Sequence, residues 1–310
     1  MTQNNLLDSV IIGAGLAGYG AALYAGRFKM GSVILSRDTG GTINWAHIVD
    51  NYPGIPNIEG IDLADKLKEH ALKFGAKLKL EEVENLQKED NYFKVKTDKS
   101  EYLTKTIIIA TGRERKKLGI PGEEEFQGNG VHTCAGCDAF LYKGKTVGVV
   151  GGSDSAAKEA LVLAEHAEKV FIIYRKDKIR AEPTLYEKVM ETSNIEIINN
   201  TNIIQAKGDG RLSHVILDNS YNGSEELSLD GLFIDVGYVP LTELARTIGV
   251  EENENGEIIV DKMNCTNVRG VFAAGDVTDI EFKQAITAVA QGSKAAYMAF
   301  KYLNTNTKSS

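Results

Sequence analysis

Two cysteines stand two residues apart in the stretch His132-Thr133-Cys134-Ala135-Gly136-Cys137-Asp138, with an acid directly after the second. Thiols at this spacing can close a small disulfide ring, and the thiolate is the form that attacks another disulfide. The carboxyl of Asp138 can take or return the proton that each exchange step requires. Two other readings use the same residues: half of a zinc site, or a pair of inert buried thiols. A structural zinc site wants four ligands. The chain has three cysteines, the third being the isolated Cys265, and no histidine has ligand-like spacing. No metal is therefore expected, and Cys134, Cys137 and Asp138 are the candidate catalytic residues. Cys265 reads as a structural side chain.

An exchange centre needs a source of electrons, and the flanking sequence offers two places to hold one. Residues 9–12 form the short apolar run of a fully buried strand. Gly13-Ala14-Gly15-Leu16-Ala17-Gly18 follows at once, and a helical pattern continues through Ala21, Ala22 and Ala25. Strand, glycine loop and helix in that order form a dinucleotide fingerprint, whose glycines let the backbone approach a pyrophosphate at a helix N-terminus. After the next strand, 32–36, the fingerprint expects an acid for the ribose. Ser36-Arg37 stand there, with Asp38 a step late, so ribose recognition stays open and a 2′-phosphate is compatible. Between this strand and the next, an amphipathic helix spans Leu63, Leu67, His70, Ala71 and Phe74, with His70 read as packed. Trp45 and His47 fall in a loop, where the plainer reading is a partly buried loop residue and the alternative is contact with a flavin. Two β-prone pieces, 92–97 and 102–104, precede a buried strand that ends in Ala110-Thr111-Gly112.

The plan then repeats. Residues 146–150 are a buried strand, Gly151-Gly152-Ser153-Asp154-Ser155-Ala156 opens a helix, and 170–174 is the next strand. That strand leads into Arg175, Lys176, Lys178 and Arg180, a cation cluster where an adenosine 2′-phosphate would be held, favouring NADPH over NADH. A solvated basic loop is the plainer alternative. Near the C-terminus, Gly275-Asp276 follows a short apolar strand, and Asp276 could cap a helix or bind a cofactor polyol.

Length and composition narrow the class. A chain of 310 residues can hold two domains with a substantial core, and 43% hydrophobic with 25% charged residues is ordinary for a globular protein. A net charge of −8 argues against nucleic-acid or anionic-membrane partners. No apolar run reaches the roughly 18 residues of a membrane span. Residues 1–9 lack the layout of a secretion signal, and three cysteines make no structural disulfide framework, so a reducing cytoplasm is the expected location.

In their order along the chain, GAGLAG, IIIATG, CAGCD, GGSDSA, YRKDKIR and GVFAAGD resemble the low-molecular-weight thioredoxin reductase family, and the likeness covers nearly the whole chain. It implies an α/β fold of two Rossmann-like three-layer nucleotide-binding domains, the second inserted into the first. Residues 1–117 and 245–310 would bind FAD, and 118–244 would bind NADPH and carry the redox disulfide. The family places Gly13, Gly15, Leu16, Ala17 and Gly18 at the FAD pyrophosphate. Asp276, after Gly275, takes the ribityl chain, and Gln284 and Ala285 lie beside the flavin ring. Ser36, Gly41, Asn51, Val83, Ala110, Thr111 and Gly112 line the rest of the cofactor. For NADPH it implies Gly151, Gly152, Ser153, Asp154, Ser155 and Ala156 at the phosphates, with Arg175, Lys176 and Arg180 at the 2′-phosphate. Cys137 would meet the flavin, Cys134 would attack the disulfide of thioredoxin, and Asp138 would handle the proton.

The family also works as a homodimer and rotates its inserted domain, which puts expected hinges near 117–119 and 242–244. This chain departs from the family pattern at Tyr174-Arg175-Lys176, where His-Arg-Arg is usual, at Ser153 in place of a third glycine, and at Thr42-Ile43-Asn44. Rival readings are a ferredoxin or other donor, a flavin-dependent dithiol oxidase, and a nucleotide-binding regulator whose thiols only sense redox state. The basic run Arg113, Arg115, Lys116 and Lys117 either steers an acidic partner or is a solvated loop.

Overall fold

The computed structural model describes residues 6–46, 48–49 and 51–306. His47 and the first five residues of the N-terminal reading lie outside them. The chain forms two compact units, Met1–Glu114 with Val239–Ser310, and Arg115–Tyr238. Residues 117–119 lie in the second unit, just past one crossing, and 242–244 lie in the first, just past the other.

The first unit is built on its most apolar runs. Leu6–Ile12 pairs in parallel with Ser32–Ser36 on one side and with Glu101–Ile109 on the other, and Lys77–Leu80 extends the sheet in parallel beyond Ser32–Ser36. Their centres are apolar on both faces, as strands covered on both sides require. Glu101–Ile109 has two different neighbours on its far edge. Phe93–Thr97 pairs antiparallel with its first half, and Val271–Ala273 pairs in parallel with Ile107–Ile109. The sequence breaks this strand into two pieces at Lys105. The structure runs it through, because the Lys105 amine reaches the Asp8 carboxylate at 3.0 Å and its charge is met without leaving the sheet.

Two helices close one face, Leu16–Arg27 and Ala285–Asn306, crossing at small residues. A Cβ at Gly292 would stand 2.0 Å from the Ala17 carbonyl oxygen. Helix Gly60–Lys73 buries Leu63, Ala64 and Ala71. His70 is exposed rather than packed in the core, its ring edge-on to Phe74 at 5.6 Å. It precedes buried Ala71 by a single residue, about 100° round the helix, enough to point it outward.

The second unit holds a five-stranded parallel sheet in the spatial order Ile195–Ile198, Lys169–Ile173, Thr146–Val150, Gly231–Ile234, Val131–His132. Helices Asp154–Ala164 and Pro183–Glu191 supply apolar residues to one face. An antiparallel meander of Ile203–Gly208, Leu212–Tyr221 and Ser224–Ser228 covers the other. Both units are therefore three-layered α/β folds, each with a glycine loop at the C-terminal end of a central parallel strand, Leu6–Ile12 in the first and Thr146–Val150 in the second, the place where such sheets bind ligands. No helix among the described residues is long and apolar enough to cross a membrane, and no cluster of three metal-ligating side chains occurs among them.

Candidate redox and nucleotide sites

Strand Val131–His132 delivers the chain to a single helical turn, Ala135–Asp138. Cys134 and Cys137 are joined by a disulfide across that turn, with Cα atoms 5.4 Å apart. The backbone N–H groups of Cys137 and Asp138 both donate to the Cys134 carbonyl, so the ring and the acid share one rigid turn. Cys134 is 8% exposed, whereas Cys137 is open to solvent. Immediately beyond, Phe140 and Leu141 present apolar side chains to water, 66% and 47% exposed.

Asp138 is held by a residue that the sequence reading passed over. Its Oδ2 lies 2.8 Å from His132 Nδ1, and His132 Nε2 lies 2.6 Å from the Tyr142 hydroxyl. The imidazole is buried and stacks on Phe233 of the neighbouring strand at 5.2 Å. Burial pushes the Tyr142 hydroxyl above the usual phenol range, against a smaller opposing pull from Arg211, so it stays protonated at neutral pH.

In the first unit, four of the residues expected at FAD, Gly13, Gly15, Gly41 and Ala110, lie around one glycine loop. Gly13 has a φ of +107°, and a Cβ there would stand 2.2 Å from the Ala110 carbonyl oxygen, so the fold itself demands this glycine. Gly15 is different. Its φ of −86° suits any residue, and a Cβ would meet only the Gly40 carbonyl oxygen at 3.7 Å. No side chain of the described residues comes within 4 Å of it. Helix Leu16–Arg27 starts there with no side-chain cap and no acid in its first turn, leaving N–H groups and the positive end of the dipole open to an anion. The residues present thus fit a pyrophosphate.

Around the loop, Gly40 N–H donates to the Ala14 carbonyl, which draws Gly41 in beside Gly15, and Ser36 ends the adjoining strand. Gly275 packs against Ala17. Asp276 does not cap a helix: its carboxylate pairs with Arg113 Nε at 2.8 Å, and the C-terminal helix begins at Ala285. Asn51 Nδ2 donates to the Gln284 side-chain oxygen. Thr111 donates to the Leu241 carbonyl, beside Ala110 and Gly112, and Val83 opens the strand Val83–Lys88.

The second glycine loop meets its own side chains. A Cβ at Gly152 would stand 2.5 Å from the Tyr174 ring, so this glycine exists to let Tyr174 lie against it. Ser153 caps the following helix, accepting from the Ala156 N–H, and Asp154 adds an acid to the first turn. The segment after strand Lys169–Ile173 folds back: Arg180 N–H donates to the Gly152 carbonyl, Glu182 N–H to Asp154 Oδ1, and Arg180 Nε to the Tyr174 hydroxyl. A cleft of about 380 Å³ opens here, with Gly151, Gly152, Ser153, Arg175 and Arg180 in its wall. Its glycine backbone and cations fit a phosphorylated nucleotide. Lys176, Asp154, Ser155 and Ala156 are not part of that wall.

The basic run does not act as one patch. Arg113 pairs with Asp276, Arg115 with Glu159 at 2.9 Å, and Lys117 with Glu124 at 2.7 Å, while Lys116 and Lys117 line the cleft, which the sequence did not indicate. Cys265 is half-buried, and burial lifts its thiol to about 11, so it carries little thiolate at neutral pH.

Comparison with known proteins agrees with this arrangement. The pyridine nucleotide-disulphide oxidoreductase family matches residues 7–292. Thioredoxin reductase of Treponema pallidum is 38% identical over 96% of this chain and 97% of that protein, and that of Bacillus subtilis 37% identical over 98% and 96%. The crystal structure of Lactococcus lactis thioredoxin reductase superposes with a TM-score of 0.91 at 37% identity, covering 96% of this chain and 99% of that one. A ferredoxin-flavin thioredoxin reductase from Clostridium acetobutylicum matches with a TM-score of 0.53 at 32% identity, covering 96% and 98%.

Proposed function

This chain belongs to the pyridine nucleotide-disulphide oxidoreductase family and is a disulfide reductase of the thioredoxin reductase type, and from that premise we propose that it carries two electrons from NADPH, with FAD as cofactor, to the Cys134–Cys137 disulfide and on to thioredoxin. The observation that carries this reading is the disulfide itself, closed on one helical turn with a carboxyl at its end. The chemistry a bound FAD supplies is two-electron exchange between a nicotinamide hydride and a disulfide. Gly13, Gly15 and Gly18 would hold its pyrophosphate, and Ser36, Asp276 and Gln284 its remaining parts. Gly151, Gly152, Arg175 and Arg180 would hold NADPH.

The protein's own steps are those of thiol exchange. Reduced Cys134 attacks the partner disulfide, Asp138 passes a proton to the departing sulfur, and Cys137 then releases the partner by re-closing the ring. Because Cys134 is the covered sulfur in the closed ring, its attack requires the turn to open or its surroundings to move. That need supports the expectation of hinged motion at the two crossings between units. The exposed Phe140 and Leu141 would give a protein substrate an apolar foothold beside the ring. Family likeness supports a homodimer working in the cytoplasm.

The test is anaerobic titration of the purified protein with NADPH and then NADH, followed by thioredoxin turnover in Cys134→Ser and Cys137→Ser. Bleaching of the flavin by NADPH, with turnover abolished in both variants, is the expected result. A second reading, with ferredoxin as donor, draws support from the likeness to ferredoxin-flavin thioredoxin reductase and from Ser153 and Asp154 at the second helix N-terminus. A flavin that stays oxidised under NADPH yet supports turnover with reduced ferredoxin would select it.

A further inference from the structure

The buried chain Asp138–His132–Tyr142 has no part in holding either nucleotide, and every one of its contacts is short. We propose that His132 is a positioning residue for disulfide exchange: it aims the Asp138 carboxyl and keeps both of its own ring nitrogens hydrogen-bonded while that carboxyl gains and loses a proton. The proposal rests on the disulfide reductase reading above.

The geometry permits two hydrogen-bond patterns that pair both imidazole nitrogens. In one, the Tyr142 O–H donates to Nε2 and Nδ1–H donates to the ionised Asp138. In the other, protonated Asp138 donates to Nδ1, and Nε2–H donates to the Tyr142 oxygen. Conversion between them moves the imidazole proton from one nitrogen to the other and turns the Tyr142 hydroxyl. Neither pattern strands an imidazole nitrogen in this buried site. The ring cannot swing away, because Phe233 stacks on it from the adjacent strand and Tyr142, itself 0% exposed, packs edge-on. Beyond Tyr142 stand the cations Arg211 and Lys145 and the acid Asp230. Asp138 alone reaches solvent, its side chain 32% exposed against 6% for His132. The buried end is therefore fixed, and the carboxyl at the wet end belongs to the same helical turn as the disulfide.

The exchange balances as follows. The Cys134 sulfur attacks one sulfur of the substrate disulfide, that S–S bond breaks as the mixed disulfide forms, and the departing sulfur keeps the electron pair. Cys137 then attacks Cys134, and the second substrate sulfur leaves. Two enzyme thiols become one disulfide, one substrate disulfide becomes two thiols, and two protons pass from enzyme to substrate. With Cys134 as the thiolate, protonated Asp138 gives its proton to the first leaving sulfur and then relays the Cys137 proton to the second; His132 changes tautomer with each transfer.

A leaving sulfur with a high pKa needs that proton, whereas an aromatic thiolate leaves without it. Full-length protein, reduced with a phosphine and desalted under argon, is therefore mixed in single turnover with either bis-hydroxyethyl disulfide or dithiobisnitrobenzoate. For the aliphatic probe His132→Asn slows exchange roughly tenfold and Asp138→Asn about a hundredfold, within the range of general acid catalysis, and the double variant matches Asp138→Asn alone. For the aromatic probe all three run near the wild-type rate. Equal slowing with both probes, or a further loss in the double variant, would make His132 merely structural and overturn the proposal; so would an unslowed His132→Asn. Should His132→Asn fail to fold, Tyr142→Phe, which removes only the far hydroxyl, is expected to slow the aliphatic probe two- to threefold and spare the aromatic one; no slowing there refutes the tautomer exchange. If wild-type reduced protein reacts with neither probe, the disulfide reductase reading itself falls, a result distinct from all of these.

Discussion

The two glycine loops sit at equivalent places in two similar folds, yet one is left open and the other is filled from within. At Gly15 the backbone is ordinary and a Cβ would meet no described side chain within 4 Å, so the glycine is accounted for by the pyrophosphate proposed for that loop. At Gly152 the protein's own Tyr174 explains it, and the helix behind carries its own cap and its own acid. On the function proposed above, the first loop would hold the cofactor that stays bound, and the second, its groups met by its own side chains, the nucleotide that arrives and leaves. A resident cofactor and a visiting one would demand different rest states, and the same strand, loop and helix would serve both.

The sharpest way to break this contrast is Gly15→Asp. The backbone there accepts a side chain, and an aspartate would cap the helix, a change worth about 0.5–2 kcal/mol in favour of the fold. Its charge would occupy the place of the pyrophosphate. We expect a folded protein of undiminished thermal stability that has lost FAD, with affinity down by at least about a hundredfold from charge repulsion in a sheltered site; visible absorbance of the purified variant measures it.

Next in size is removal of the cations of the second loop. Arg175→Ala with Arg180→Ala should raise the KM for NADPH by about ten- to a hundredfold, the worth of one or two charge-assisted bonds, with NADH changed far less and flavin content unaltered. Asp154→Asn is subtler. It keeps an acceptor for the Glu182 N–H and removes an acid from a helix start that would hold phosphate, so nucleotide should bind about two- to fivefold tighter, a helix-dipole-sized effect; fluorescence titration would show it. A weaker binding instead would mean that the acid serves the loop's geometry above all.

The smallest effect concerns Glu159, on the helix behind the second loop. Burial lifts its carboxyl from 4.5 to about 7, with Arg115 pulling the other way. The folded chain thus keeps this proton to a higher pH than the unfolded chain. Its contribution to stability is complete below about pH 4.5, declines as pH rises toward 7, and is constant above. Glu159→Gln should flatten that decline, a difference on the order of 1–3 kcal/mol across the window, measured by urea unfolding at a series of pH values.

Much of this was legible in the sequence because it depends on local pattern. Buried strands such as Val10–Ile12 and Val147–Val150 announce themselves as apolar runs, and glycine loops between strand and helix have a fixed spacing. Long-range pairings did not show. Arg113 meets Asp276 only because Val271–Ala273 lies against Ile107–Ile109, and a sequence read segment by segment sees a stray cation and a stray acid. His132, Asp138 and Tyr142 follow no helical or strand period and converge only because the turn after Cys134 doubles back. The meander between Ile203 and Ser228 was unreadable for another reason: its strand Leu212–Tyr221 is half-exposed, so apolar alternation is diluted by Asp218, Asn219 and Ser220. Tyr174 looked like a departure from a basic motif, and its role against Gly152 needed the fold.

One consequence follows from strand Val271–Ala273 and helix Ala285–Asn306 completing the first unit. On the ribosome, the inserted segment 115–238 is synthesised as one uninterrupted piece and can compact as it emerges. Its host must wait with an open sheet edge until the final strand has been translated. Assembly therefore runs from the middle outward, and a stalled nascent chain would present a finished disulfide-bearing unit inside an unfinished host.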